Sequence, residues 1–279
     1  MSELIDNIAQ MDFLQNALLA TLLSSISCAI IGTYMVMRRL VFLGGGITHS
    51  SFGGIGMAYY FGLNPIMGAM VFAIVSALAI EKISHRGAIR EDSAIGILWS
   101  LGMAIGIIFI FITPGYAPNL MSFLFGNILM VSRVELLWLF GLDMAIILIF
   151  SLFYRTIIYC ALDRSFAKSL GRPTRVVGYG MMLLLAITIV VNIKVVGIMM
   201  LISLLTIPSV VGAMLSNNYR TITLWAILVA LACSLSGLFI SYVATIPAGA
   251  AAVAVMGGVF LMVKLVQFCT QLFRGYGTK

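Results

Sequence analysis

Long charge-free apolar stretches dominate the chain: residues 13–37, 40–80, 93–132, 176–193, 195–219 and 221–263, with His counted as neutral. A bilayer crossing needs about 20 predominantly apolar residues, so a stretch of about 40 can hold two. The stretch 136–154, interrupted only by Asp143, brings the upper bound to about ten crossings, and Gly- or Pro-rich portions that do not cross lower it. The expectation is about eight transmembrane helices, with nine as the nearest rival count. The runs lack the alternating apolar and polar positions of an outer-membrane barrel, which predicts an all-α polytopic membrane protein.

Polar connections between these stretches are short. The longest, about Arg155 to Arg175 and including a segment at about 160–175, cannot fold a core of its own but can form a short interfacial helix. Residues 1–279 are therefore expected to form one membrane domain. Two interruptions predict broken helices near a central cavity: Gly44-Gly45-Gly46 ahead of Ile47-Thr48-His49-Ser50-Ser51, and Pro247-Ala248-Gly249 after Ala244-Thr245-Ile246. Irregular backbone at membrane depth is tolerated only inside protein or beside a water-filled cavity. The Gly triplet has a second reading, in which missing side chains simply let helices approach closely.

Composition narrows the classes. Charged residues make up 9% and apolar ones 62%, against roughly 25% charged in a soluble domain. The net charge of +7 comes from clusters at 38–39, 82–90, 155–175, 220 and 264–279. The positive-inside rule places these in the cytoplasm, which accounts for the charge without nucleic acid. Glu3, Asp6 and Asp12 precede the first stretch with no base among them, unlike a cleaved signal peptide, so the first span is expected to persist. Cys28, Cys160, Cys233 and Cys269 form no CxxC pair and read as small packing residues. There is no GxxxxGK[ST] loop, so uphill transport would draw its energy from a partner or an ion gradient.

Few residues inside the apolar stretches carry chemistry. His49 is an ionisable group in a charge-free run, a functional candidate by default. Neutral imidazole ligates zinc and other first-row ions, whereas a histidine hydrogen-bonded between helices is the structural reading. His85, inside Lys82-Ile83-Ser84-His85-Arg86, reads as solvated. Asp143 belongs either to a cation path or to the bundle interior, neutral or paired with Lys194. The segment from Leu162 to Pro173 combines polar residues, a short helical stretch and Gly171 two residues before Pro173, which predicts an exposed helix and turn.

Four separated segments together resemble the permeases of ABC importers for zinc, manganese and iron, the ABC-3 family. They are Arg38-Arg39 through His49-Ser50-Ser51; Glu91-Asp92-Ser93-Ala94-Ile95-Gly96-Ile97 with Leu120-Met121-Ser122-Phe123-Leu124-Phe125-Gly126-Asn127-Ile128-Leu129; Asp163 to Gly171; and Lys194-Val195-Val196-Gly197 through Thr206-Ile207-Pro208, ending at Pro247-Ala248-Gly249. They cover most of the chain. The resemblance implies a non-enzymatic transport subunit in the cytoplasmic membrane, working as a homodimer with separate ATPase subunits and an extracytoplasmic metal-binding protein. It implies a transported divalent metal and no permanently bound cofactor. It also implies that Asp163, Ala167, Leu170 and Gly171 engage the ATPase, and that His49 is a transit ligand. Two positions depart from the family: Gly45 stands where an Asp precedes the His by four, and Thr245 stands where an acid precedes the Pro-x-Gly turn. Without those carboxylates, imidazole with hydroxyl and carbonyl oxygens favours zinc over manganese. The rival class, a proton- or sodium-coupled secondary transporter, should show inverted repeats and several intramembrane acids. No convincing repeat occurs, and Asp143 is the one acid well inside an expected span.

Overall fold

The computed structural model describes residues 12–86, 89–114, 126 and 128–276, and the side chains of all these except 85, 86, 129 and 272–276. Nine α-helices and no strand occur among the described residues: α1 Asp12–Met37, α2 Val41–Tyr60, α3 Pro65–Arg86, α4 Glu91–Ile112, α5 Arg133–Leu162, α6 Arg164–Ser169, α7 Thr174–Leu215, α8 Tyr219–Ala244 and α9 Ala248–Tyr276. Seven of these are long and apolar enough to cross a bilayer, all except α2 and α6. α2 has 20 residues, enough for a span of about 30 Å, but is rich in Gly and Ser.

At 42 residues, α7 would run about 63 Å if straight, twice the hydrocarbon thickness. It does not run straight. Gly197 has φ 76° and ψ 166°, a backbone region essentially restricted to glycine. Contacts on either side show that the chain folds back there. Gly178 lies against Glu81, which pairs with Arg38 just beyond α1. Ser209 faces Thr33, near the same end of α1. In a straight helix Gly178 and Ser209 would be about 46 Å apart. Counting α2 and both arms of α7, the described residues make nine membrane-depth segments, the rival count to the expected eight. Lys194, which separates two apolar stretches in the sequence, lies just before the reversal.

The ends of the helices sort by charge. Arg38, Glu81 and Arg164 meet at one end, which the positive-inside rule makes cytoplasmic. At the other end Asp12 lies 3.7 Å from Arg133, and Glu135 pairs with Lys194. α1 and α7 form the centre, each 72% buried over its span, whereas α4 and α9 are only 22% buried. Their outward faces carry Phe111, Leu261, Met262 and Leu265, a liability in water and a fit to lipid.

The Gly44–Gly46 triplet does not break its helix, contrary to the first of the two expected interruptions. α2 runs through it from Val41 to Tyr60, because backbone groups at membrane depth have no water to bond and the helix satisfies them internally. The close-approach reading is the one realised at Gly46, where a Cβ would sit 2.3 Å from Ile95 Cγ2 of α4. Further along α2, Gly54 meets the Gly68 backbone of α3, and Gly56 meets the Gly106 backbone of α4. The second interruption is the turn between α8 and α9, where Thr245 adopts a left-handed conformation with φ 55°.

Candidate functional site

His49 sits in the ninth position of α2, half-buried, with its ring stacked on Trp99 of α4 at 4.5 Å between centroids and 7° between planes. Stacking on an aromatic face fixes the plane of the imidazole. Its Nδ1 is buried and has no hydrogen-bond partner among the described residues, so that nitrogen makes none of the described interhelical bonds that would mark a purely structural histidine. One helical turn earlier, Gly45 lines a cavity of about 320 Å³ with Phe42, Trp99, Ile202, Ser203 and Thr206. Residues four apart share a helix face, so His49 and Gly45 are presented on the same side of α2.

Gly45 differs from the other two glycines of its triplet. A Cβ there would lie 3.5 Å from Trp99 and 4.0 Å from Ile202, an ordinary contact, whereas at Gly44 it would be 2.8 Å from Met35 and at Gly46 2.3 Å from Ile95. The position at which the resemblance implies an acid is therefore the one of the three with room for a side chain. Nearby hydroxyls donate back to their own helices: Thr48 to the Gly44 carbonyl at 2.6 Å, Ser51 to Thr48 at 2.6 Å and Ser203 to Met199 at 3.0 Å. Their donors are used, which leaves oxygen lone pairs as what they can offer a cation.

Thr245 is exposed at the outer end of α8, and its hydroxyl bonds the Ala244 carbonyl at 2.8 Å. Among the described residues no hydrogen bond or ring contact joins it to His49. Asp143 and Lys194 are also not brought together, contrary to one of the sequence readings: Lys194 pairs with Glu135, about 12 Å along α5 from Asp143. Glu135 is already placed by a capping box, accepting from Ser132 N at 2.8 Å while Ser132 Oγ accepts from Glu135 N. Asp143 instead lies 1% exposed against α1.

The cytoplasmic segment folds as expected. Asp163 caps α6, its Oδ1 accepting from Ser165 N at 2.8 Å and Phe166 N at 3.0 Å. Ala167 is fully buried and Leu170 half exposed, and Gly171, with φ 70°, ends the turn in a conformation suited to glycine. Phe166 and Leu170 stand out of the surface beside it. Asn127, the preceding segment 120–125, the N-terminal acids Glu3 and Asp6, and the side chain of His85 lie outside the described residues.

Sequence reasoning missed two residues here. Trp99 was hidden because tryptophan in a span usually marks the membrane interface. Glu81 is fully buried, 2.5 Å from Arg164 and 4.0 Å from Arg38, and ties α6 to α3 and to the end of α1. Its one signal was an acid at the border between a charge-free run and a basic segment.

The profile of the ABC 3 transport family matches residues 10–267. A membrane protein of Synechocystis sp., slr2045, is 41% identical over 73% of this chain and 72% of its own. The manganese transport system membrane protein MntC of Halalkalibacterium halodurans is 32% identical over 92% of this chain and 88% of its own. Among solved structures, PsaBC from Streptococcus pneumoniae in complex with Fab superposes with a TM-score of 0.82 at 29% identity, covering 94% of both chains. The matched family spans nearly the whole bundle, from α1 into α9, and the chain is a membrane-embedded member of the ABC 3 transport family.

Proposed function

We propose that this chain is the permease subunit of an ATP-binding-cassette importer that carries a divalent transition metal ion across the cytoplasmic membrane. It works as a homodimer, with ATP hydrolysis on separate cytoplasmic subunits docked at α6 and with metal delivered by an extracytoplasmic binding protein. The resemblance between the chain and the manganese-system relatives supports the substrate class, and the side-chain cap, buried Ala167, apolar surface and glycine turn of α6 support the docking role. The whole described bundle acts as one domain.

The observation that carries the metal reading is the unpartnered, buried Nδ1 of His49, one turn from a cavity-lining glycine that has room for a carboxylate. Imidazole with neutral oxygens is a weak, borderline-soft donor set. It favours zinc, while manganese gains most from carboxylate oxygen. Weak binding suits a transit site, since the ion must leave as readily as it enters. The relatives named for manganese make that ion the direct comparison.

The test is uptake of zinc, manganese and iron by the reconstituted complex. His49→Ala should lower uptake of the preferred ion at least tenfold with assembly intact, and Gly45→Asp should raise manganese uptake relative to zinc. Wild-type uptake of every ion by His49→Ala would remove His49 from the path.

A further inference from the structure

The indole of Trp99 lies against both His49 and Gly45. It stacks on the imidazole with 4.5 Å between centroids and 7° between planes, and a Cβ on Gly45 would lie 3.5 Å from its Cζ3 and 3.7 Å from its Cη2. The stack is held in place along both helices. Four residues before Trp99, Ile95 fills the space where Gly46 has no side chain; three residues after it, Gly102 lies against the backbone of Ser50, the neighbour of His49. One turn further on, Gly106 lies in the same way against the Phe52 carbonyl. Backbones in such contact on either side of the stack leave α4 no room to slide or turn against α2.

An imidazole nitrogen ligates a metal through a lone pair in the plane of the ring, so an ion on His49 sits at the ring edge. The indole runs parallel to that plane and covers one face. Its N–H is a donor only, so it supplies the ion with no ligand and keeps water and other oxygens from the side it covers. Gly45 adds no side chain beside it. The cavity of about 320 Å³ that Gly45 and Trp99 share is otherwise lined by apolar side chains, and Ser203 and Thr206 of α7 are its two hydroxyls. An ion that is content with four ligands loses little in such a place, as zinc does, whereas manganese prefers six oxygens.

We propose that Trp99 is a specificity-determining residue of the transit path. By covering one face of His49 and the space beside Gly45, its indole limits the oxygen ligands that a passing ion can keep, and so favours four-coordinate ions over manganese. The inference rests on the transit role proposed for His49. It adds a residue that acts by exclusion rather than by donating a ligand.

The experiment measures uptake of zinc and manganese in competition by the reconstituted complex. Trp99→Ala should raise manganese uptake relative to zinc several-fold, because oxygens can then complete the coordination sphere. Trp99→Phe, which keeps a flat apolar ring over the imidazole, should stay near the wild-type ratio. An unchanged ratio in Trp99→Ala, even with both uptakes lowered, overturns the inference and leaves Trp99 a packing residue. His49→Ala in the same assay separates the two failures: wild-type uptake there removes the transit site itself, whereas lost uptake with an unchanged Trp99→Ala ratio removes the role of Trp99 alone. If Trp99→Ala does not assemble, Trp99→Leu, which lacks the flat cover, carries the same expectation. A spectroscopic arm leaves Trp99 intact: with Trp138→Phe and Trp225→Phe it is the one remaining indole. Cobalt(II), a stand-in for zinc, should quench its fluorescence, and His49→Ala should abolish the quench; a quench indifferent to His49→Ala overturns the proposal.

Discussion

Glu81 and Asp143 are both buried acids, 0% and 1% exposed, yet they are solved in opposite ways. Glu81 stands at the cytoplasmic end of α3 with Arg164 at 2.5 Å and Arg38 at 4.0 Å. Asp143 stands inside α5, ten residues from its start, with no cationic side chain paired to it among the described residues. The difference follows from depth. At a helix end, arginines from the basic cytoplasmic segments can reach inward and still lie partly in water, as Arg164 does at 27% exposed. At mid-span a long basic side chain would itself have to be buried or snorkel away. Charge at the rim is therefore available for joining elements, and charge at the centre has to be neutralised on the spot.

The largest effect is expected from removing the paired acid. Glu81→Ala leaves Arg38 and Arg164 facing each other in a buried pocket and should cost about 3–5 kcal/mol, the usual result of breaking a buried ion pair from one side. Thermal unfolding of the purified complex measures it. Because Arg164 opens α6, ATPase stimulation by the metal-loaded binding protein should fall as well. Loss of under about 1 kcal/mol would mean that the cluster is solvated rather than sealed.

Next in size is the reversal of α7, which lies at the outer end of the same bundle. Gly197→Val places a β-branched residue at φ 76°, ψ 166°, and should cost about 1–3 kcal/mol from backbone strain alone. The backbone around Gly197 also touches Gly126, where a Cβ would come within 2.4 Å of Gly197 N. Gly126→Ala should therefore reproduce part of the loss, and wild-type unfolding in both variants would remove the reversal as a fixed feature.

The same comparison explains what was legible in the sequence. α1 could be read directly, because its apolar stretch matches one crossing and ends at Arg38, and α8 and α9 as the two crossings that the stretch 221–263 can hold, divided at Pro247. The two arms of α7 were visible as stretches divided at Lys194, although the turn itself rests on Gly197, which looks like any other glycine in an apolar run. The Gly44–Gly46 triplet was misread as a break because glycine weakens helices in water, an effect that fades where the backbone has no other partner. His49 was legible as the lone ionisable group of its run. Its stacking partner Trp99 was not, since the stack arises from a contact between helices distant in sequence.

A third prediction inverts the first. Asp143→Asn should leave stability unchanged or raise it by up to about 1 kcal/mol, since the amide keeps the shape and removes a carboxyl that lacks a basic partner among the described residues. Destabilisation as severe as that of Glu81→Ala would show that a cation from the protein reaches Asp143, and the contrast between rim and centre would fail.

The smallest effect should come from the outer rim, where Lys194 pairs with Glu135. This pair resembles that of Glu81 and Arg164 in chemistry but not in burial: Lys194 is 50% exposed and Glu135 16%. Water already solvates the ammonium, so little desolvation would be recovered by removing it and little attraction lost, and exposed pairs contribute about 0–1 kcal/mol. Glu135 also keeps its second tie, the backbone N–H of Ser132 at 2.8 Å, which holds the carboxylate at the start of α5 whether or not Lys194 is present. Lys194→Gln should therefore change unfolding by less than about 1 kcal/mol. Added salt should reduce the wild-type's advantage over it, because screening acts on exposed charges within about 10 Å at 0.1 M. The Glu81 pair, whose carboxylate is fully buried, should show a weaker salt dependence. Equal salt sensitivity at the two ends would mean that position along the membrane normal, rather than burial, sets what an ion pair contributes to this fold.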